Sequence, residues 1–463
     1  MKSKNSSGNQ ITEGVIWKQL LLFFFPILLG TLFQQLYNTA DAIVVGRFVG
    51  KEALAAVGGS SGQIVGLVVG FFVGLSSGAT VIIARFYGAR NERDLNRALY
   101  TAAALAIVGS IIITILGVIF TPAMLRLMNT PEDVMAGSVI YLRVYFSGIL
   151  FVFIYNIGSA VLRAIGDSKR PLYFLIVCCF INIVLDIVLV VGFRMGVTGA
   201  AIATLVSQAV SAFLIVHALM KSDDLYQLQT SEIRFYRPML ASIIAIGLPA
   251  GIQSVMYSAA NVIIQSSLNG LGTSAVAANT ANSKMDAIYW MVSGAFSVAI
   301  ATFVGQNYGA GKYSRMKKSV RVCLIMDLIA SVLISILFWT CGRYMLSMFT
   351  SDPEVLDIGM EIVHVIAPFY SLFIFVEIYS STLRGIGDVF IPMIMTCCGI
   401  CVFRIIWMFT VVPTHYDIQH IIACFPISWG ITAVLFIIYY QIKQRKFFRA
   451  HPVDETISAE HEA

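Results

Sequence analysis

The chain has 463 residues, of which 58% are hydrophobic and 12% charged, with a mean hydropathy of +0.82 and a formal net charge of +6. Apolar runs of 18 or more residues recur from end to end, which excludes an ordinary soluble domain and places the chain in a bilayer. The runs are too long and too evenly apolar for barrel strands, so they read as helices, and the positive charge reads as a topology signal that needs no nucleic-acid partner.

A hydrocarbon core about 30 Å thick and a rise of about 1.5 Å per residue ask for about 20 apolar residues per span. Twelve spans are predicted, at 17–47, 53–84, 95–120, 135–163, 171–192, 197–220, 238–268, 275–307, 316–340, 357–383, 389–412 and 418–441. The polar segment 1–15 carries no small-residue cleavage pattern, so no removed signal peptide is expected. Most of the 31 basic residues, from Lys2, Lys4 and Lys18 through Arg85, Arg163, Lys221 and Lys312 to Lys443 and Arg449, fall on one side, which predicts that both termini are cytoplasmic in an inner (plasma) membrane. The eight cysteines lie in or beside helices, where small polarizable packing residues are expected rather than disulfides.

Polar groups inside the spans ask for a partner or a task, because burying a charge there costs at least about 2.5–3.5 kcal/mol. In the first span, "QQLYNTADAIVVG" at 34–46, Gln34, Asn38 and Asp41 are spaced four and three apart and are expected to share one face. The fifth carries Asn182 and Asp186 four apart, and the sixth, running back, carries Thr204. Counted from their helix ends, Asp41, Asp186 and Thr204 all lie about 9–12 Å below the outer surface. Two carboxylates, an amide and a hydroxyl at one depth make an all-oxygen pocket suited to Na⁺ or a shared proton, and the arriving ion relieves the repulsion between the acids. A shorter first helix, with Asp41 at the interface, is the plainer alternative.

The chain is also written twice. "LRAIGD" at 162–167 returns as "LRGIGD" at 383–388, "YGA" at 87–89 as "YGA" at 308–310, and Pro171 as Pro392, each 221 positions later. The expected division is a cytoplasmic segment (1–15), a six-helix lobe (16–220), a cytoplasmic linker (221–237), a second six-helix lobe (238–441) and a cytoplasmic tail (442–463). Six helices per copy, an even number, predict two copies of like orientation. The charges are not duplicated: Ile264 stands at the repeat position of Asp41 and Trp407 at that of Asp186.

In the second copy, Asp286 in the eighth span and Arg404 in the eleventh reach similar depth and are predicted to pair, either as a structural ion pair or as a substrate contact. Glu377, about six residues from the inner end of the tenth span, is expected to be solvated. Tyr37, Met256, Tyr257 and other aromatic and methionine side chains are candidates to line a cavity for amphipathic molecules. Gly166 and Gly387 are expected to end their helices left-handed, with Asp167 and Asp388 each capping the next helix. Pro26 and Pro249 each permit a bend, either a static kink or one used in opening.

Several of these stretches, "QQLYNTADAIVVGRFVGKEALAAVG", the two "LR(A/G)IGD…P" repeats, "NIVLD", "GAAIATLVSQ" and "ATFVGQNYGAGK", resemble the multidrug and toxic compound extrusion (MATE) family over about residues 15–441. The resemblance implies an all-α polytopic membrane protein of twelve transmembrane helices in two pseudo-symmetric six-helix bundles. It implies a cation site at Asp41, Asn182, Asp186 and Thr204 in the N-terminal lobe. The implied activity is antiport, driven by H⁺ or Na⁺ without another cofactor, that exports small, amphipathic or cationic organic compounds by alternating access. Gln34, Tyr37, Asn38, Asn156, Met256, Tyr257, Asn261, Asp286 and Arg404 are the candidate substrate-cavity residues. No metal is expected beyond Na⁺ at the cation site. The partners expected are the bilayer and the transported molecules, with the chain a monomer. A lipid-linked oligosaccharide flippase of the same superfamily is the alternative; it calls for a cationic central cavity, whereas Arg404 is the lone mid-membrane arginine here. An intramembrane enzyme is disfavoured, since no GxxxxGK[ST] loop occurs and the histidines are scattered.

Overall fold

The computed structural model describes residues 11–222 and 224–450, and every regular element in them is helical. Lys2 and Lys4, the start of the expected N-terminal segment, and the end of the expected tail from residue 451 lie outside the described residues. Among the described residues, eleven helices are long and apolar enough to cross a membrane: Ile16–Phe48, Lys51–Gly88, Glu92–Leu127, Lys169–Gly192, Gly196–Met220, Arg237–Asn269, Thr273–Gly309, Tyr313–Ser347, Pro353–Gly385, Phe390–Thr414 and Ile418–Ala450. A bent pair, Glu132–Ser147 and Ile149–Ala164 at 50°, makes the fourth of twelve spans.

Side-chain size and polarity sort the lipid face from the interior. On the third span, Ile111, Ile112, Ile115 and Ile119 are exposed while Ser110, Gly117 and Thr121 are buried. Lipid is as apolar as isoleucine, so bulk goes outward and small residues let helices approach.

The fourth and tenth spans break at matching places, the fourth at Gly148 and the tenth through the 3₁₀ turn Ala367–Phe369. A break frees backbone carbonyls that lipid cannot satisfy. In each lobe a hydroxyl from the preceding span does so: Thr114 Oγ1 donates to the Phe146 carbonyl at 2.8 Å, and Ser335 Oγ donates to the Ala367 carbonyl at 2.6 Å. Both donors and both acceptors are separated by the 221-residue repeat.

The glycine turns form as expected, with φ +99° at Gly166 and +77° at Gly387. Asp167 caps the next helix, accepting from the Lys169 and Arg170 amides at 3.0 and 3.1 Å. Asp388 departs from the expectation: its carboxylate accepts from Tyr439 Oη at 2.6 Å and pairs with Lys443 Nζ at 2.7 Å, both on the last helix. A cationic partner within reach outcompetes the local cap.

The chain divides into two compact units, one holding Phe23–Gly251 and the other the described residues up to Leu22 with those from Ile252 on. The division runs through the first and seventh helices, each within four residues of Pro26 or Pro249, rather than through the polar linker. That linker is docked on the first unit. Asn96 Nδ2 donates to the Leu225 carbonyl at 3.2 Å, its Oδ1 accepts from the Gln227 amide at 3.0 Å, and Thr101 Oγ1 accepts from the Tyr236 amide at 3.2 Å. The segment before the first helix is held in the same manner on the second unit: Arg315 donates to the carbonyls of Ile11, Glu13 and Gly14 at 3.1, 2.7 and 2.7 Å, and Lys312 donates to that of Thr12 at 2.9 Å.

Within the first unit, the opening turns of the seventh helix cross the second span glycine on glycine. A methyl group on Gly78 would meet the Ile243 carbonyl oxygen at 2.2 Å, and one on Gly74 the Gly251 nitrogen at 2.5 Å. The stretches "GLSSG" (74–78) and "GLPAG" (247–251) thus act as facing small-xxx-small motifs. Gly78→Ala is expected to lower stability by about 1–3 kcal/mol through overpacking against backbone. Gly66→Ala on the same helix, where the added methyl meets nothing within 4 Å, serves as the neutral control. Thermal unfolding in lipid nanodiscs distinguishes the two, and equal effects would contradict the crossing.

Candidate cation site and polar cavity

Four of the predicted residues come together in the first unit. Asp41 is 7% exposed, Asn182 and Asp186 are fully buried, and Thr204 is 3% exposed. Thr204 Oγ1 lies 3.4 Å from Asp41 Oδ2 while also donating to the Ala200 carbonyl at 3.0 Å, and Asp186 and Asn182 stand beside Asp41. Asp41 Oδ1, both Asp186 oxygens and the Asn182 Oδ1 and Nδ2 make no hydrogen bond within the protein. Four acceptor oxygens are thus left without a donor from the described residues, and an all-oxygen set of this kind is chemically suited to a hard cation or a shared proton.

Local structure explains the aim of these groups. Asn182 and Asp186 are four apart on Lys169–Asp186, and a π-helical segment, Ile187–Gly192, begins at the next residue. Such widened turns redirect a helix face and recur at functional sites. One turn beyond each site residue lies an apolar plug: Val45 follows Asp41 by four, Val190 follows Asp186 by four, and Ala200 precedes Thr204 by four. Val44 and Ala53 complete the cluster, so buried apolar side chains pack one turn from the site residues.

The remaining stripe on the first helix differs from its expectation. Gln34 and Asn38 are exposed, and the buried partner of Asp41 is Tyr37, four residues before it. Spacings of three and of four both stack on a helix, and here the four-residue spacing carries the buried face. Tyr141, buried on the fourth span, is within electrostatic range of both carboxylates. Asn156 spends its amide on its own helix, donating to the Val152 carbonyl at 2.8 Å.

The second unit contains a cavity of about 600 Å³ whose walls include Tyr257, Asn261, Asp286 and Arg404. Met256 is half-buried and outside the lining. Asp286 and Arg404 do not pair as predicted. Asp286 accepts from the Tyr370 hydroxyl, whereas Arg404 donates through Nε to Ser428 Oγ at 3.1 Å and lies 4.1 Å over the Phe425 ring. Depth counted along a helix fixes the level of a side chain but leaves its azimuth open. Glu377, expected in solvent, is half-buried in the same cavity.

Sequence reasoning passed over Asp327 on Tyr313–Ser347, which is 1% exposed and whose Oδ2 accepts from Ser293 Oγ at 3.5 Å. Its signal was present: a single acid inside the apolar run "CLIMDLIASVLI". Nothing comparable marks Tyr370 as the donor to Asp286.

Comparison with known proteins agrees with this architecture. The MatE family model matches residues 26–188 and 249–410, the two repeats in turn. The "Probable multidrug resistance protein YoeA" of Bacillus subtilis (strain 168) is 29% identical over 441 residues, covering 93% of this chain and 95% of its own. The "Probable multidrug resistance protein YpnP" of the same organism is 30% identical over 399 residues, covering 85% and 88%. A crystal structure of MATE in the bent conformation superposes with a TM-score of 0.90 at 22% identity, covering 96% of this chain and 99% of that one, a likeness of fold.

Two six-helix repeats with buried polar groups, and relatives named for drug resistance, make this a multi-pass membrane transporter and not an enzyme. The chain belongs to the MatE family.

Because the Asn182 amide is buried with both polar atoms unpartnered, Asn182→Leu is expected to raise the cation-free unfolding stability by about 1–3 kcal/mol and to abolish any stabilisation by added Na⁺. Thermal unfolding of both proteins with and without Na⁺, at two pH values, reads this out. A less stable variant would mean that the amide is a structural bond.

Proposed function

We propose that the protein is an antiporter in which H⁺ or Na⁺, held by Asp41, Asn182, Asp186 and Thr204, drives export of small amphipathic or cationic organic molecules by alternating access of its two lobes. It works as a monomer in the plasma membrane with both termini cytoplasmic. The observation that carries this reading is the pair of buried carboxylates, Asp41 and Asp186, with three of their four oxygens lacking a donor from the protein. Two adjacent acids in a poorly hydrated pocket cannot both stay ionised cheaply, so a proton or Na⁺ stabilises the loaded state and its release destabilises it. The ion shifts the conformational balance by its difference in affinity between the two states, and the cargo shifts it the other way.

Thr204 adds a fifth oxygen, while the plug of Val45, Val190 and Ala200 keeps water out from one side. An ion therefore enters and leaves only when the pocket is open on the other side or the plug parts, which is the gating that coupled exchange needs.

Asp41→Asn and Asp186→Asn, made singly, are expected to cut ion-driven efflux of a fluorescent cation from proteoliposomes at least about tenfold, while ion-independent binding of that dye is kept. This corresponds to about 1.4 kcal/mol or more of lost coupling. Imposing a pH gradient and a Na⁺ gradient separately identifies the ion. Unchanged efflux in both variants would remove the pocket from the mechanism, and turnover of a lipid-linked oligosaccharide without either gradient would favour flipping.

A further inference from the structure

The cavity of the second unit carries charges that the cation pocket does not explain. Arg404 is 3% exposed in the middle of the eleventh span, yet no described carboxylate lies within ion-pair distance of it; its partners are the Ser428 hydroxyl at 3.1 Å and the faces of Phe425 and Trp429 at 4.1 and 5.9 Å. Asp286 and Glu377 line the same cavity. Asp286 has the Tyr370 hydroxyl as donor, and Glu377 makes neither hydrogen bond nor ion pair among the described residues. Glu377 also feels the half-buried Arg384 on its own helix, which does not line the cavity, while Asp286 and Arg404 share the cavity without pairing with each other. In a low-dielectric setting that arrangement is expensive unless something else joins them.

Two further features indicate what joins them. Asn282 is 2% exposed, lines the cavity, and leaves both its side-chain oxygen and nitrogen without a partner. Trp290 and Trp429 meet edge to face at 6.2 Å, and both contribute to the wall, giving an aromatic surface beside the charges. A volume of about 600 Å³ falls in the usual range for small organic ligands, about 300–1,000 Å³.

The geometry points to a binding site for a small zwitterion with an aromatic body, its acidic group on the Arg404 guanidinium, its ammonium on Asp286 and Glu377, and its ring against Trp290 and Trp429. Either charge alone would leave the opposite wall group uncompensated. A purely cationic molecule would meet Arg404, and a purely anionic one would meet two carboxylates. The Asn282 amide adds a donor and an acceptor for a polar linkage between the two ends. This assignment favours zwitterionic amphipaths over the purely cationic members of the cargo class in the antiporter reading, and rests on that reading for the statement that the bound molecule is cargo; binding itself does not depend on ion coupling.

The test is equilibrium binding to the full chain in lipid nanodiscs, without any gradient, using three matched probes at about pH 6. These are the dipeptide phenylalanyl-phenylalanine, its methyl ester, which keeps only the ammonium, and its N-acetyl form, which keeps only the carboxylate. The zwitterion is expected to bind at least about tenfold tighter than either derivative. Arg404→Gln is expected to erase its advantage over the methyl ester, and Arg404→Lys to retain it. Glu377→Gln is expected to reduce its advantage over the N-acetyl form and carries the test by itself if the arginine variant does not fold. Equal or tighter binding of the methyl ester, preferences unchanged by the substitutions, or binding of none of the three overturns the assignment. A zwitterion preference that survives in Asp41→Asn, together with absent ion-driven transport of the dipeptide, would uphold this site and defeat the antiporter reading instead.

Discussion

The structure depends on the free energy of keeping two carboxylates, Asp41 and Asp186, away from both water and lipid. Both are buried in one helical unit, and among the described residues the Thr204 hydroxyl, 3.4 Å from Asp41 Oδ2, is the one hydroxyl within hydrogen-bond distance of their four oxygens. A fold with no functional demand would place a lysine there or remove the acids, because a half-satisfied polar network is less stable than an apolar one. The first, fifth and sixth spans instead converge on the pair, the fifth widens into a π-helical segment directly after Asp186, and valines pack one turn away. The described residues leave three of the four carboxylate oxygens without a donor, an arrangement that costs the fold stability.

Duplication supplied the scaffold, and divergence supplied the chemistry. The hydroxyl that answers each broken helix, Thr114 in one repeat and Ser335 in the other, survives in both copies because lipid imposes the same demand on each. The glycine turns at 166 and 387 survive for the same backbone reason. The acids do not. Ile264 replaces Asp41, and the second copy has its own set, Asp286, Glu377, Asp327 and Arg404, at positions unrelated to the first. One unit thus concentrates acidic oxygens and the other holds separated charges of both signs.

The readable part of this protein was the part governed by length and periodicity. A fixed rise per residue locates twelve spans and ranks Asp41, Asp186 and Thr204 at one depth, and that ranking matches their convergence. Azimuth was not readable to the same degree: Gln34 and Asn38 turn outward while Tyr37 turns in, and Asp286 and Arg404 share a cavity but take different partners. Pairing needs the rotation of each helix, which packing sets and a lone sequence does not encode locally. Asp327 was missed although its apolar surroundings advertise it, and Glu377 was assigned to solvent because distance to a helix end is a poor measure of access. The exchange of helix beginnings between units was invisible, since the polar linker looked like the natural border.

That exchange bears on how the chain is made. Asn307 reaches the Ile11 carbonyl and Arg315 the Gly14 carbonyl across 296 and 301 residues, so the segment ahead of the first helix is made long before these partners exist. At an elongation rate of about 5–20 residues per second, synthesis of the intervening chain takes about 15–60 s. Through that interval the segment lacks these partners, and the earlier lobe also waits for residues 237–251 before its glycine crossing can form. The contacts that hold residues 11–14 can therefore form only once the chain has been made through Arg315, with eight of the twelve spans, those up to Gly309, already complete.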